Sequence, residues 1–140
     1  MKKSLILGVC ALTLLSGCGS REEAEAKLAR GCEAAAKSML AKDSYDHQID
    51  SIKGKTFGKS DGFTLVTITA NTKNKEYEYE NEESFQCKFE ESTGPFGMNW
   101  KGALVQVKIG DDVYGSEGGE LFGTVEDQMA LTAAVEAAMH

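Results

Sequence analysis

Apolar positions recur at helical spacing near both ends of the chain beyond residue 20, and at strand spacing between them. Leu28, Cys32, Ala35 and Met39 lie four, three and four residues apart, which puts them on one face of a helix predicted over residues 21–42. Glu22, Glu23 and Glu25 fall in its first turn, where the positive end of the helix dipole favours acids. Cys32 is therefore expected to point at the core. Ahead of Leu28 only alanines can be buried, so the first turns read as a stalk.

From Tyr45 the period shortens towards two. Residues 45–53 are a weak strand candidate. Residues 63–72 are a strong one, with Phe63, Leu65, Val66 and Ile68 offering apolar groups to both faces, as in a central or doubly covered strand. Residues 71–75 read as a turn. In the next stretch Tyr77, Tyr79, Phe85, Cys87 and Phe89 share odd parity, while Glu76, Glu78, Glu80, Glu82, Gln86, Lys88 and Glu90 share even parity. That pattern predicts one long strand, bulged near Asn81, with one wet face and Cys87 on the apolar side.

Residues 92–97 hold the only proline, Pro95, and read as a turn. Residues 98–109 form another predicted strand, with Trp100 at its start and Ala103, Val105, Val107 and Ile109 on one face. Residues 111–123 are rich in glycine and acids, the composition of a mobile loop with room for a short strand. Thr124 can cap a last helix, with Asp127 at the capping-box position, and Val125, Met129, Thr132, Val135 and Met139 repeat at helical spacing. The predicted fold class is α+β: an antiparallel sheet of about four strands packed by an N-terminal and a C-terminal helix.

The first twenty residues follow a different logic. Met1, Lys2 and Lys3 precede an apolar run over residues 5–15, the layout of an export signal. The run is roughly half the ~20 residues that a membrane-spanning helix needs. It ends in Leu15-Ser16-Gly17-Cys18, which resembles the lipobox of bacterial lipoproteins. The resemblance implies that residues 1–17 are a signal peptide removed before Cys18, and that the Cys18 thiol carries diacylglycerol. The new amine is usually acylated as well. On that reading residues 18–20 are a lipidated tether and residues 21–140 a single domain. One acyl chain holds a protein to a membrane only reversibly, whereas two or three attach it permanently. In enteric-type sorting an aspartate after the cysteine resembles an inner-membrane retention signal; Gly19 stands there, which implies the outer membrane, with the domain facing the periplasm. The plainer alternative is a secretory signal with a chance cysteine.

Charge and cysteine usage then bear on partners. The formal net charge of −7 loses the two positive lysines of the signal and becomes −9. So acidic a chain is not expected to bind nucleic acid or to gain from anionic headgroups, and it would attract a basic partner. Solubility alone also accounts for it. Cys10 leaves with the signal and lipid takes Cys18, so an oxidising compartment leaves Cys32 and Cys87 one intramolecular choice. The alternative is a metal-binding or catalytic pair, against which there is no Cys-x-x-Cys spacing and one internal histidine, His47. Helix and strand patterns independently aim both cysteines inward, and a bridge between them is worth about 4 kcal/mol in the chain-entropy model.

Motifs that carry chemistry are sparse. Gly54-Lys55-Thr56-Phe57-Gly58-Lys59-Ser60 has three residues between its glycines where a phosphate loop has four, and reads as a surface turn. Asp43, Ser44, Asp46 and His47 supply triad residue types, but catalysis needs them to converge in space; they read as a helix-to-strand connection. The acids of residues 111–120 lack the alternating order of a calcium loop. No catalytic residues, metal or cofactor are expected. Glu76, Glu78, Glu80 and Glu82 form an acidic ladder, either a solvated face or a docking surface for a basic protein.

Two further resemblances concern the mature part. Cys32 in a helix, an Asn-containing turn at residues 71–74 and Phe85-x-Cys87-x-Phe89 are similar to small secreted bacterial domains of unknown function, which supports the disulfide. Trp100-Lys101-Gly102 is similar to a stretch of the membrane-bound lysozyme inhibitors, although their preceding Ser-Gly-x-x-Tyr element is missing and two terminal helices do not fit their barrel. The expected function is a non-enzymatic envelope lipoprotein that binds or supports an envelope component. The alternatives are an inhibitor of a basic enzyme such as lysozyme, acting through the acidic face, and a hydrolase built around His47.

Overall fold

The computed structural model describes residues 19–140. Helix α1 (Gly19–Leu40) leads into six strands: β1 (His47–Ser60), β2 (Phe63–Asn74), β3 (Glu80–Ser92), β4 (Lys101–Ile109), β5 (Asp112–Glu117) and β6 (Glu120–Phe122). A short 3-10 turn, Pro95–Gly97, lies between β3 and β4, and helix α2 (Val125–Met139) closes the fold. The strands pair in sequence order, each antiparallel to the next, as an open meander with β1 and β6 at the edges. Both helices pack on one face of the sheet. They run antiparallel, as Arg30 Nε donates to the Ala138 carbonyl at one end and Lys42 pairs with Asp127 at the other. Among the described residues no helix is long and apolar enough to cross a membrane.

The α+β class holds, with two helices and one disulfide, but the sheet has six strands rather than four. The expected mobile loop at 111–123 is β5 and β6. β6 has three residues, too few to show a period of two, and β5 buries the adjacent Tyr114 and Gly115, so neither alternates. The stretch 54–60, read as a surface turn, is the second half of β1. Asp50 and Lys53 sit in register shifts of β1, so its parity changes twice and no alternation survives in the sequence.

The helix stripe is buried as its spacing requires, since Leu28, Cys32, Ala35 and Met39 all lie in the core. Ala24 is buried too, and Arg21 is paired with Glu91 of β3, so α1 is docked along its length and is no stalk. Cys32 and Cys87 form the disulfide between α1 and β3, both fully buried. On β2 the even positions Val66, Ile68 and Ala70 face the helices, while Leu65, Thr67 and Thr69 are half-exposed on the other face.

Two local readings shift. On β4, Val105 is the extra residue of a bulge opposite the step from Lys88 to Phe89, so the parity of the core face changes there; Leu104 packs on the core while Ala103 is exposed. On α2 the buried face is Asp127, Leu131, Val135 and Met139, leaving Val125 and Met129 in solvent. The capping box is present in full: the Thr124 hydroxyl accepts from the Asp127 backbone and Asp127 accepts from the Thr124 backbone. Asp127 also takes the Lys42 ammonium at 2.8 Å, which turns this face of the helix inward.

Candidate partner-binding site

The two ends of α1 define two poles, about 30 Å apart for a helix of this length. At the pole beyond Leu40, residues 75–79 join β2 to β3. The Asn74 side-chain carbonyl accepts from the backbone N–H groups of Glu76 and Tyr77, at 2.9 and 3.0 Å, the hydrogen-bonded turn that asparagine favours. Asn74 N–H donates to the Tyr79 carbonyl, and Lys75 N–H donates to Asp46, so the loop is closed and fastened to the α1–β1 connection. The turn expected at 71–75 thus lies a few residues later.

That displacement relocates half of the acidic ladder. Glu76 and Glu78 lie in the loop rather than on a strand, and Glu80 and Glu82 open β3. Tyr77 and Tyr79, expected on the apolar side of a strand, are 72% and 67% exposed. Glu82 is paired with Lys53 at 2.6 Å, whereas Glu80 is 3.9 Å from Lys73, which lies nearer to Asp50 at 3.4 Å. Glu76 and Glu78 have no ion pair among the described residues. Within the ladder, the glutamates with no ion pair are the two in the loop, where they alternate with two tyrosines.

Beside this loop, a cleft of about 220 Å³ is lined by Asp46, His47, Thr72, Asn74, Tyr79, Asn81 and Glu83. His47 stands between two carboxylates. Its Nδ1 is 2.9 Å from Asp46, and its Nε2 is 2.7 Å from Glu83 without the alignment of a hydrogen bond. The hydrogen bond to His47 holds the Asp46 carboxyl below its ordinary range, helped by the charge of Lys75 and opposed by slight burial. Of Asp43, Ser44, Asp46 and His47, the cleft brings together Asp46 and His47; Asp43 and Ser44 are not in its lining.

The Lys42 end of α1 is bound to the strands by a second polar cluster. Lys42 lies over the Tyr114 ring at 4.9 Å, and the Tyr45 hydroxyl bonds both Asp112 and the Tyr114 hydroxyl at 2.7 Å. Burial, reinforced by those bonds, holds the Tyr45 phenol far above its ordinary range.

The opposite pole, where α1 begins, is organised by Glu91. Its carboxylate accepts from Arg21 and the Trp100 indole at 2.7 Å, from Lys59 at 3.2 Å, and from the Thr64 hydroxyl. Burial would raise its carboxyl, but the hydrogen bonds from Arg21, Thr64, Trp100 and Lys59 outweigh it and hold the group at about 2. Next to it lies an apolar cleft of about 340 Å³ between α2 and β4, whose lining includes Trp100, Leu104, Leu131, Val135 and Met139. Nothing in the sequence points to Glu91, because its four partners come from α1, β1, β2 and the residue just before β4. The exposure of Tyr77 and Tyr79 had a signal, the asparagine-led turn just before them.

Cys18 lies outside the described residues. Among those described, no group of His, Cys, Asp and Glu is placed to hold a metal ion. Comparison with known protein families, with characterised proteins and with solved structures finds no match for this chain.

Proposed function

We propose that the chain is an exported bacterial lipoprotein, tethered through an acylated Cys18 to the cell envelope, most simply to the outer membrane facing the periplasm. Its domain works by binding rather than by catalysis, and its partner is a basic envelope protein captured by the loop of residues 75–79. The carrying observation is the alternation of exposed Tyr77 and Tyr79 with unpaired Glu76 and Glu78 on a loop fastened by Asn74 and Lys75. Tyrosine on a rigid loop offers a large contact area at little entropic cost and is enriched among residues that dominate binding. The buried Cys32–Cys87 bridge supports the address, because such bonds persist in oxidising compartments.

The same loop also suits an inhibitor of a basic enzyme such as lysozyme. That reading rests mainly on Glu76 and Glu78, since Lys53 offsets Glu82 and Glu80 shares Lys73 with Asp50.

Cross-linking in intact cells followed by pull-down tests the binding reading. A basic envelope protein should be recovered with the native chain and lost with Tyr77→Ser/Tyr79→Ser; an empty native lane removes it. Cys18→Ser tests the address, since the unprocessed, unacylated chain should leave the tightly held membrane fraction.

A further inference from the structure

At the Glu91 pole, the connection between β3 and β4 carries a second exposed apolar feature. Phe96 is 99% exposed and Met98 is 64% exposed. The loop holds them out by its own bonds: Gly94 N–H donates to the Met98 carbonyl at 2.6 Å, and Met98 N–H donates to Pro95. A side chain at Gly94 would crowd that carbonyl, at 2.9 Å. Phe96 itself has φ 60 and ψ 24, the left-handed region that aromatic residues rarely adopt. The backbone is thus held in an unfavourable conformation that presents a phenyl ring to water, with no part of the domain covering it.

Chain length ties the proposed attachment point, Cys18, to this same pole. Trp100, two residues beyond Met98, donates to Glu91, which holds Arg21. Lys27 of α1 lies over the Trp100 ring at 5.9 Å. Three peptide units separate Arg21 from Cys18, so whatever the path between them, their Cα atoms are within about 11 Å. We infer that Phe96 and Met98 insert into the bilayer that carries the lipid anchor, so that the domain stands on the membrane with the tyrosine loop pointing away. The orientation rests on the lipid-anchored reading; the insertion of the loop can be tested apart from it.

Charge decides what drives the contact. Arg21, Lys27, Lys59 and Lys101 at this pole are offset by Glu22, Glu23, Glu25, Glu90 and Glu91. No net basic patch is left to attract anionic headgroups, so insertion is apolar, independent of lipid charge and insensitive to salt. The Trp100 indole and the lysine stems beside it suit the headgroup level just above.

The test uses the full-length lipidated protein in phosphatidylcholine vesicles. Trp100 is the only tryptophan, so Phe96→Trp adds one reporter at the loop tip, read by difference from the native chain. The added emission should be blue-shifted, should lose most of its intensity to brominated acyl chains, and should be unchanged by high salt. Water-like, unquenched emission from protein that remains on the vesicles overturns the insertion and leaves the anchor intact. A blue shift that appears without vesicles and grows with protein concentration assigns the loop to a second copy, and equally overturns it. If mass spectrometry finds no acyl group on Cys18, the anchor reading fails separately. Vesicle flotation of that unlipidated chain then decides the loop: it should fall with Phe96→Ser/Met98→Ser, and no flotation, or equal flotation, sinks the proposal.

Discussion

Cys32 on α1 and Cys87 on β3 are bonded to each other at a Cα separation of 5.7 Å, both without solvent exposure. Neighbouring core residues on the same strand, Phe85 and Phe89, are equally buried. The bond therefore pins the helix to the centre of the sheet rather than stapling a surface loop. It closes a loop of 55 residues, for which the chain-entropy model gives about 4 kcal/mol. Cys32→Ala/Cys87→Ala should lose roughly 3–5 kcal/mol in denaturant unfolding, as should the native chain in strong reductant. A loss below about 1 kcal/mol would mean that helix packing alone fixes α1.

Glu91 makes acid sensitivity readable at one residue. Its folded carboxyl sits at about 2 against an ordinary 4.5. The stabilisation from its ionised form is therefore present in full above about pH 4.5, and is lost as pH falls through the folded value. Glu91→Gln removes charge-assisted hydrogen bonds and should cost about 2 kcal/mol near neutral pH. The gap between native and variant should be flat above pH 5 and narrow steadily in acid. A gap that does not change with pH would mean that Glu91 acts by packing rather than by charge.

The sequence was most legible where a buried face continues through an element without interruption. The Leu28–Cys32–Ala35–Met39 stripe, the Phe85–Cys87–Phe89 alternation and the Thr124–Asp127 cap are all found in place. Legibility failed where backbone events change the parity. The register shifts at Asp50 and Lys53 hid β1, and the bulge at Val105 moved Leu104 rather than Ala103 to the core. Tyr77 and Tyr79 share parity with Phe85, but the chain turns between Asn74 and Glu80, so parity carried no information across that point. The candidate site was visible only as charge. The pairing of Glu82 with Lys53, and the sharing of Lys73 between Asp50 and Glu80, depend on the pairing of β1, β2 and β3.

Gly115 shows what the β4 bulge requires of its neighbour. It has φ 125, and a side chain there would overlap the Val105 carbonyl oxygen, which is backbone and cannot move aside. Gly118, at φ 59, has open space around the same position. Gly115→Ala should therefore destabilise by more than about 2 kcal/mol, and Gly118→Ala by about 1 kcal/mol, the ordinary cost of a left-handed residue. Thermal unfolding of the two variants side by side checks this. Equal losses would show that the bulge relaxes and that Gly115 is chosen for its dihedral angle alone.

The tyrosine loop separates binding from folding most cleanly. Tyr77 and Tyr79 bury little, so Tyr77→Ser/Tyr79→Ser should leave stability within about 0.5 kcal/mol of native. If the loop is the contact, each tyrosine should still contribute about 2 kcal/mol of affinity for the captured partner, close to thirtyfold. Glu76→Gln/Glu78→Gln should slow association and weaken its salt dependence, because these charges are free to steer a basic protein. Glu80→Gln/Glu82→Gln should do less, since Lys53 offsets Glu82 and Lys73, shared with Asp50, offsets part of Glu80. The reverse order, with the β3 pair dominant and the loop pair silent, would move the contact onto the strand face. Binding kinetics of the three variants against the cross-linked partner distinguish the two surfaces.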